Sequence, residues 1–398
     1  MAEYELAGAL GTDFYEVFAE VPEQDRAVWE RARAFVAITL PEVNEAWERA
    51  EYPAHWIPRL GEHGLLNDGV EGPGLHTVTP LAAGLVNMEL ARADGSLSTI
   101  VAVQAGLTLR SIAMFGSAEQ KERWLGPLER GEVFGAFALT EPDHGSDAVA
   151  LSTRAVREGS DWVLTGEKKW IGNGAAGLSG IPAVSVVWAR DEEGAVRGFL
   201  VEQDRPGYLA ETITGKVSLR AIHQARIRLD AVRVPADALL PEAMSFKDTS
   251  RVLAATRLGV AWSALGHATA AFEAALTYAK QRIQFGRPLA ATQLVQERLT
   301  RMLSELTSVQ LHCVRLAALD TAGTLQPLQA SLAKFTATRI ARGIASTARD
   351  MLGGNGILLE NHVMRHLADI EAIHTYEGTE SVQALLVGRA LTGHSAFA

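Results

Sequence analysis

The hydrophobic and polar positions in the first third of the chain repeat at the spacing of an α-helix. In the segment that begins at Pro22, apolar side chains recur every three or four residues, at Val28, Ala32, Phe35 and Val36. This spacing predicts an amphipathic helix, which Pro41 is expected to interrupt because proline has no backbone N–H to donate. Residues 96–116 are apolar nearly all round, which is typical of a helix buried between other helices. Ser117, with Gln120 three residues on, predicts a capping box at the start of the next helix. These patterns predict an N-terminal α-helical domain over residues 1–133.

The pattern changes to that of short strands after about residue 133. Runs such as AVSVVWAR, RGFLVEQ, GKVSL and ARIRLDAVRV are separated by turn-forming clusters such as DRPG. The segment DWVLTGEKKWI is interpreted as two short strands around a Thr-Gly-Glu turn. Several short strands with few helical runs predict a middle antiparallel β-domain over residues 134–242.

Helical spacing returns in the last part of the chain. Three long runs, 251–280, 291–320 and 326–352, have the length of helices, and the third has an apolar stripe along one face. Pro327 stands near the first turn of the third run, where its missing N–H costs little. Many Ala and Gly residues allow these helices to approach each other closely. We therefore predict a C-terminal four-helix bundle over residues 243–398 and an α+β multidomain fold.

Composition and charge exclude several classes of protein. The chain has 398 residues, too many for one core, and its 47% hydrophobic and 21% charged residues are ordinary for a globular protein. The net charge of -10 argues against nucleic acid as a partner, because an acidic surface repels phosphates. The one cysteine, Cys313, cannot form an internal disulfide and fits a reducing compartment. Because no long apolar run and no targeting segment are evident, we expect no membrane partner and a cytoplasmic location.

Two segments match the spacing of known motifs but lack a feature that each motif requires. GNGAAG, from Gly172 to Gly177, matches a dinucleotide-binding pattern, but a segment broken by proline follows it rather than the helix N-terminus that binds phosphate. HVMRH places His362 and His366 at the spacing of a zinc-protease helix, but Val363 stands where the general base is required. We therefore predict a turn between strands, a structural histidine pair and no metal site.

Four other segments combine glycines, hydroxyls and charges in ways that suit a flat, phosphorylated ligand. FALTEPDHGSD places backbone N–H groups and hydroxyls at the end of a strand, and KKWIGNG contains Trp170, which could cover a ring. QRIQFGRPLAATQ offers Arg282 to a phosphate and Gln293 to a polar edge. RDMLGGNGI has three glycines that let the backbone approach a ligand, and HTYEGTE follows it with the carboxylate of Glu377.

These motifs, in this order, resemble the acyl-CoA dehydrogenase family over essentially the whole chain. ALTEPDHGSD, KKWI, R-x-QFGRPL and TYEGT carry the resemblance, and MLGGNGI, VMRHLADIEAIHTYEGT and LLVGRALTG are closest to its glutaryl-CoA dehydrogenase branch. The resemblance implies an FAD enzyme that dehydrogenates an acyl-CoA thioester, passes electrons to an electron-transfer flavoprotein and assembles as a homotetramer. The alternatives are an acyl-CoA oxidase, which the sequence separates poorly, and a non-enzymatic flavin-containing binding protein, against which the acidic balance and the intact TYEGT argue.

The resemblance also implies a role for each matching residue. Glu377 is the catalytic base that takes the α-proton while hydride passes from the β-carbon to flavin N5, and burial against Tyr376 should raise its pKa. Contacts with the flavin fall to Phe137, Leu139, Thr140, Gly145, Ser146, Trp170, Ile171 and Thr379. Contacts with the ADP half of FAD, in the same or a neighbouring subunit, fall to Arg282, Gln293, Asp350, Met351, Leu352, Gly353 and Gly354. Contacts with the acyl-CoA fall to Ser98, Thr99, Ser146, Arg257 and Gly378.

Two features depart from the family pattern. Gly172 stands where the family has the Thr or Ser hydroxyl that bonds flavin N5. Ala91, Ser98 and Thr99 stand where glutaryl-CoA dehydrogenases carry a Glu and an Arg-Ser pair that grip the distal carboxylate. Without that arginine, a second carboxylate would lack its charge partner. We therefore expect a short neutral acyl-CoA as substrate, with decarboxylating oxidation of glutaryl-CoA as the alternative.

Overall fold

The computed structural model of the protein describes residues 12–396, in the order helices, β-sheet, helices. This order confirms the predicted fold class of a helical domain, a β-domain and a helical bundle. The ends of the first and third predicted domains, residues 1–11 and 397–398, lie outside the described residues.

The first helical layer holds six α-helices and one π-helical segment among the described residues: α1 (Glu23–Arg49), α2 (Trp56–Glu62), α3 (Pro80–Ala93), α4 (Gly95–Val101), the π-helical segment (Ala102–Leu109), α5 (Arg110–Phe115) and α6 (Ala118–Glu129). Helix α1 continues through Pro41, so the predicted interruption is wrong. Pro41 is on the exposed face, where water can solvate the carbonyl left without a partner. Helix α6 begins with the predicted capping box of Ser117 and Gln120.

The stretch Gly95–Phe115, from α4 to α5, is long and apolar enough to cross a membrane by composition alone. However, 72% of its most apolar window is buried inside the protein. It packs against α3, against the long helix α7 (Phe246–Gln281) and against the strand β1 (Phe134–Ala138). This enclosure accounts for its apolar composition and confirms the prediction of a buried helix.

The middle layer is a seven-stranded sheet, in which β1 is followed by β2 (Arg154–Glu158), β3 (Asp161–Gly172), β4 (Ala183–Arg190), β5 (Val196–Glu202), β6 (Tyr208–Thr212) and β7 (Gln224–Val234). The spatial order is β1-β4-β2-β3-β7-β6, and β5 pairs with β4. The pairs β2–β3, β3–β7, β4–β5 and β6–β7 are antiparallel, as predicted. Strands β1 and β2 run parallel to β4, so the sheet is mixed rather than purely antiparallel.

Two details of the strand prediction are wrong. Strand β3 is one strand of 12 residues, because the expected Thr-Gly-Glu turn is an irregularity in its pairing with β7, at Gly166 with φ +155°. The segment GKVSL forms no strand. Lys216 Nζ donates there to the carbonyls of Leu219 at 2.8 Å and Ile222 at 2.6 Å and holds the chain as a loop. The glycine-rich GNGAAG is followed by a short 3₁₀ turn and not by an α-helix, which confirms that it is no dinucleotide motif.

The last layer contains α7, α8 (Gln293–Thr321), α9 (Pro327–Met351), α10 (Val363–Thr375) and α11 (Glu380–Thr392), and the hairpin β8 (Ile283–Gln284) and β9 (Arg287–Pro288) lies between α7 and α8. Helices α7 to α10 share one apolar core, and α11 lies against α9. His366 on α10 is buried, with Nδ1 2.8 Å from Nδ1 of His267 on α7. His362 Nδ1 lies 3.1 Å from Nη2 of Arg365, so both histidines of the HVMRH segment make contacts within the fold, as the predicted structural role requires.

Candidate active site

The candidate site is built on the turn between α10 and α11, which contains Glu377 and Gly378. Glu377 has φ +53° and Gly378 has φ +89°. A Cβ at position 378 would lie 2.5 Å from Gln383 Nε2, so glycine is required there. A non-glycine residue held at positive φ is strained, and such strain is concentrated at functional sites.

Two buried side chains hold the carbonyl groups of this turn. Lys334 Nζ, from α9, donates to the carbonyls of Tyr376 and Gly378. Gln383 Nε2, from α11, donates to the carbonyls of Glu377 and Gly378, each at 3.1 Å. Within residues 12–396, the N–H of Glu377 donates to no acceptor. The turn therefore fixes its carbonyls inside the protein and leaves the N–H of Glu377 for a ligand.

The Glu377 carboxylate is directed into the protein and is kept weakly acidic. Its Oε2 accepts a hydrogen bond of 2.7 Å from Thr256 Oγ1 on α7. Burial raises the pKa of Glu377, although the charges of Lys334 and Arg257 and the bond from Thr256 act to lower it. Burial also lowers the pKa of Lys334 to about 7, against the attraction of Glu377. The predicted rise in the pKa of Glu377 is confirmed, and such a carboxylate suits proton abstraction.

The carboxylate faces a cavity that combines apolar surface with polar groups and is lined by Asp68, Asn87, Ser98, Ala102, Thr256, Gly259, Val260, Ser263, Tyr376 and Glu377. Ser98, one of the predicted substrate residues, is thus in place. Thr99 is behind the wall, where its Oγ1 donates to the carbonyl of Gly95 at 2.7 Å. Arg257 lies close enough for the charge of Glu377 to act on its pKa and donates to Ser331 Oγ on α9 at 3.2 Å. The polar side chains of Asp68, Asn87, Ser98, Thr256 and Ser263 are therefore set into a lining that is mainly apolar.

The three positions that depart from the glutaryl-CoA dehydrogenase pattern carry no charged side chain, and the first of them is closely packed. Ala91 is fully buried where α3 crosses α7, and a Cβ built on Gly266 would lie 2.8 Å from the Ala91 Cβ. A glutamate side chain does not fit into so close a helix contact. The Ser98 hydroxyl lies 3.1 Å from Ser263 Oγ and carries no charge. The residues at these three positions therefore provide no cation for a second carboxylate.

A second group of predicted residues surrounds the loop that follows β1. Lys168 on β3 is fully buried, and its Nζ donates to the carbonyl of Leu139 at 3.1 Å and to Glu141 Oε1 at 2.9 Å. Glu141 also accepts bonds from the backbone and hydroxyl groups of Ser152 and Thr153. Burial acts to raise the pKa of Glu141, but the charge of Lys168 and these bonds lower that pKa to about 2. The buried ion pair fixes the loop in shape.

This loop and the end of β3 present groups that fit a flavin. Gly145 and Ser146 are exposed, and within the described chain their N–H groups donate to no acceptor. Trp170 is 53% exposed and is held at φ +67°, with Lys169 Nζ 5.3 Å from its ring centroid. Thr140 is partly exposed. The side chains of Phe137, Leu139 and Ile171 are buried in the core, so they can meet a cofactor only through backbone atoms.

Gly172, where the family hydroxyl is missing, is tightly packed. A Cβ at this position would lie 2.9 Å from Val103 Cγ2, a branched side chain with little freedom to move. Glycine therefore fits the surrounding packing of this chain, and restoring a serine or threonine would require Val103 to shift.

The residues assigned to the ADP half lie at the opposite end of α7 from the base. Arg282 and Gln293 are exposed on either side of the β8–β9 hairpin, and α7 places Arg282 roughly 40 Å from Thr256 along its axis. Asp350 is paired with Arg298 at 2.8 Å, and Gly353 and Gly354 have open space around them. Met351 is partly buried and Leu352 is buried in the core, which leaves only its backbone accessible. Thr379 caps α11, accepting a bond from the N–H of Val382 at 3.3 Å.

Several residues of the site were missed in the sequence. Lys334, Gln383, Thr256, Asp68 and Asn87 belong to no motif. One signal existed for Lys334, since it stands among the buried alanines of α9, where a solvated lysine is not expected. The others come together only in the folded chain.

Comparison with known proteins agrees with this architecture. Models of the N-terminal, middle and C-terminal domains of acyl-CoA dehydrogenases match residues 22–132, 136–232 and 246–392. The mitochondrial short-chain specific acyl-CoA dehydrogenase of Bos taurus is 34% identical over 92% of this chain and 90% of its own length. A structure of glutaryl-CoA dehydrogenase from Mycobacterium smegmatis is 41% identical, with a TM-score of 0.94 over 98% of this chain and 100% of its own. Another from that organism, in complex with FADH2, is 37% identical with the same TM-score and coverage.

Proposed function

The chain belongs to the acyl-CoA dehydrogenase family, and we propose that it oxidises short, uncharged acyl-CoA thioesters with Glu377 as the base. The observation that carries this proposal is the Glu377 turn, whose carboxylate faces a cavity and whose own N–H donates to no acceptor within residues 12–396. Reduction of the bound flavin by butyryl-CoA in the absence of oxygen tests it. A flavin that no short acyl-CoA reduces would contradict it.

Proton abstraction follows from the geometry of the turn. The α-proton of a thioester is weakly acidic, so a base of ordinary carboxylate strength is poorly matched to it. Burial raises the pKa of Glu377 and so reduces the difference between this pKa and that of the α-proton. The bond from Thr256 leaves the other carboxylate oxygen for the substrate. The free N–H of Glu377 can donate to the thioester oxygen, where negative charge develops as the proton leaves.

The cofactor is FAD, which supplies the acceptor for the hydride that leaves the β-carbon. We propose that the free N–H groups of Gly145 and Ser146 and the ring of Trp170 hold the flavin. The Glu141–Lys168 ion pair supports this by fixing the loop before the flavin binds. Such preorganisation lowers the entropy that binding would otherwise cost.

Replacement of Lys334 by methionine is expected to move the acidic limb of the pH profile of flavin reduction to higher pH. The charge of Lys334 acts to lower the pKa of Glu377, so its removal raises that pKa further and reduces the fraction of ionised base. We expect a fall on the order of tenfold at neutral pH, within the range for impaired general-base catalysis. The difference should be greatest at and below pH 7, since Lys334 itself loses its proton above its pKa of about 7. Lys334→Arg, which retains the charge, should preserve more of the wild-type profile than Lys334→Met.

We propose further that the protein forms a homotetramer in which the exposed ADP-binding residues meet the FAD of a neighbouring subunit. Phe285, at the tip of the β8–β9 hairpin, is fully exposed, as is much of Ile283 and Leu294. Exposed apolar groups beside predicted cofactor residues are typical of a surface that another subunit covers.

Phe285→Asp is expected to weaken the assembly and to release FAD, because it places a charge in the apolar contact. Light scattering and the ratio of flavin to protein measure both effects. Val217→Asp is the matched control, since Val217 is also a largely exposed apolar residue but belongs to the middle domain. A wild-type monomer that retains its FAD would refute the shared site.

We also propose an electron-transfer flavoprotein as the electron acceptor. The family resemblance supports it, and oxygen is the alternative acceptor. Turnover with butyryl-CoA should be fast with an electron-transfer flavoprotein and should release little peroxide in air. Stoichiometric peroxide without a protein acceptor would instead identify an oxidase.

A further inference from the structure

The end of the cavity formed by the loop after α2 and by α3 carries a carboxylate. Asp68 follows α2, and its Oδ1 accepts a bond of 2.8 Å from Asn87 Nδ2 on α3. Its Oδ2 lies 3.3 Å from the guanidinium of Arg110, which also donates to the carbonyl of Asp68 at 2.6 Å. Three elements thus hold this carboxylate in one orientation, and its charge is balanced by Arg110.

Space beside the carboxylate is kept open by two glycines. A Cβ at Gly106, in the π-helical segment, would lie 3.0 Å from Asp68 Oδ2. A Cβ at Gly259, on α7, would lie 3.9 Å from Asp68 Oδ1 and 3.5 Å from Asn87 Nδ2. The π-helical geometry itself is often found at ligand sites. The chain therefore approaches Asp68 through glycine on two sides.

The groups around this space can both accept and donate hydrogen bonds. Asp68 is an acceptor, and Oδ1 of Asn87 receives no donor from residues 12–396. The Ser98 hydroxyl donates to the carbonyl of Gly95 at 3.1 Å, and it lies 3.1 Å from Ser263 Oγ, so these two hydroxyls face a ligand mainly as acceptors. An alkyl chain ending here would remove water from these groups and offer them no partner, which is unfavourable.

The charges decide which polar group fits. A carboxylate would find no free cation, because no Lys or Arg lines the cavity in the described part of the chain and Arg110 is already paired with Asp68. An ammonium group is not required, because Arg110 already balances Asp68. A hydroxyl can donate to Asp68 and accept the second hydrogen of Asn87 Nδ2 without adding charge.

We propose that this end of the cavity binds a hydroxyl group, so that the preferred substrates are short hydroxyacyl-CoA thioesters. The inference rests on the proposed function and names the substrate class of the same site. The hydroxyl lies beyond the two reacting carbons and is unchanged in the reaction. The α-proton goes to Glu377, the β-hydrogen leaves as hydride to FAD, and a carbon–carbon double bond forms.

The decisive comparison is 4-hydroxybutyryl-CoA against pentanoyl-CoA, which has a methyl group in place of the hydroxyl. We expect wild-type kcat/KM to favour the hydroxyacyl substrate by at least about tenfold, because a site built to hydrogen-bond a hydroxyl rejects the analogue that lacks it. Asn87→Leu and Asp68→Asn should reduce this ratio, and Asn87→Leu should reverse it. Glu71→Gln, on the exposed part of the same loop, should leave it unchanged.

The outcomes separate this inference from the function on which it rests. Efficient oxidation of pentanoyl-CoA with equal or poorer use of 4-hydroxybutyryl-CoA would overturn the hydroxyl site and leave the dehydrogenase intact. If neither thioester reduces the flavin, the proposed function fails, and titrations of the flavin spectrum with both ligands still give the ratio of their Kd values. Equal Kd values would then overturn the hydroxyl site as well. If the variants do not fold, the wild-type ratio alone decides.

Discussion

Replacement of Glu377 by glutamine is expected to abolish most acyl-CoA-dependent flavin reduction while the protein keeps its fold and its FAD. Glutamine has nearly the same shape and can still accept the bond from Thr256 Oγ1, but it cannot take a proton. Removal of a positioned base typically costs about 10²–10⁴-fold, and more where water has no access to replace it. Burial of the carboxylate favours the upper part of that range. Single-turnover flavin reduction by butyryl-CoA measures the loss.

Glu371→Gln is the matched control for this variant. Glu371 also belongs to α10, but its side chain is half exposed and pairs with Arg342 on the surface at 2.8 Å. In the Glu371→Gln variant, butyryl-CoA should reduce the flavin at the wild-type rate. Near-normal reduction by Glu377→Gln would show that the base lies elsewhere. Asp68 would then be the first alternative, since its carboxylate also lines the cavity.

The second large effect concerns the choice of substrate. We expect butyryl-CoA and isobutyryl-CoA to exceed glutaryl-CoA in kcat/KM by a factor of a few hundred or more. A buried charge without its partner costs about 3–5 kcal/mol, and each 1.4 kcal/mol is about tenfold. In the described part of the chain no Lys or Arg lines the cavity and Arg110 is paired with Asp68, which agrees with the expectation drawn from Ala91, Ser98 and Thr99. Initial rates with the three thioesters, measured side by side, decide the order.

Arg110 is the residue through which this expectation could fail. It is 3.3 Å from Asp68 and would be available to a distal carboxylate only if that pair were broken. Faster turnover of glutaryl-CoA with release of carbon dioxide would show that this happens. Loss of glutaryl-CoA turnover in an Arg110→Met variant would identify Arg110 as the cation that binds the distal carboxylate.

The order of the domains was predictable because local periodicity reports helices and strands directly. The apolar run of Gly95–Phe115 and the Ser117–Gln120 capping box are local patterns, and both were predicted. Pro41 was misjudged because its tolerance depends on which face of α1 is exposed, and this is a property of the packed structure. The GKVSL loop was misjudged because a lysine from the same segment caps its carbonyls.

The candidate site was predictable only where its residues form motifs. Glu377, Trp170 and Ser146 occur in short recognisable segments, whereas Asp68 and Asn87 meet across a loop and a helix. Lys334 holds the turn that carries Glu377 by donating to the carbonyls of Tyr376 and Gly378, which are 42 and 44 residues away in sequence. A contact over that distance leaves no local sequence pattern. The cavity is likewise a property of the folded chain, because it combines residues from α3, α4, the π-helical segment, α7 and two loops.

The most direct test is anaerobic mixing of the purified protein, yellow with non-covalently bound FAD, with a panel of short acyl-CoA thioesters. The account predicts rapid bleaching of the flavin by at least one short uncharged thioester, with little or no bleaching by the same compound in Glu377→Gln. A protein that cannot be loaded with FAD, or a loaded flavin that stays oxidised with every thioester of the panel, would contradict it.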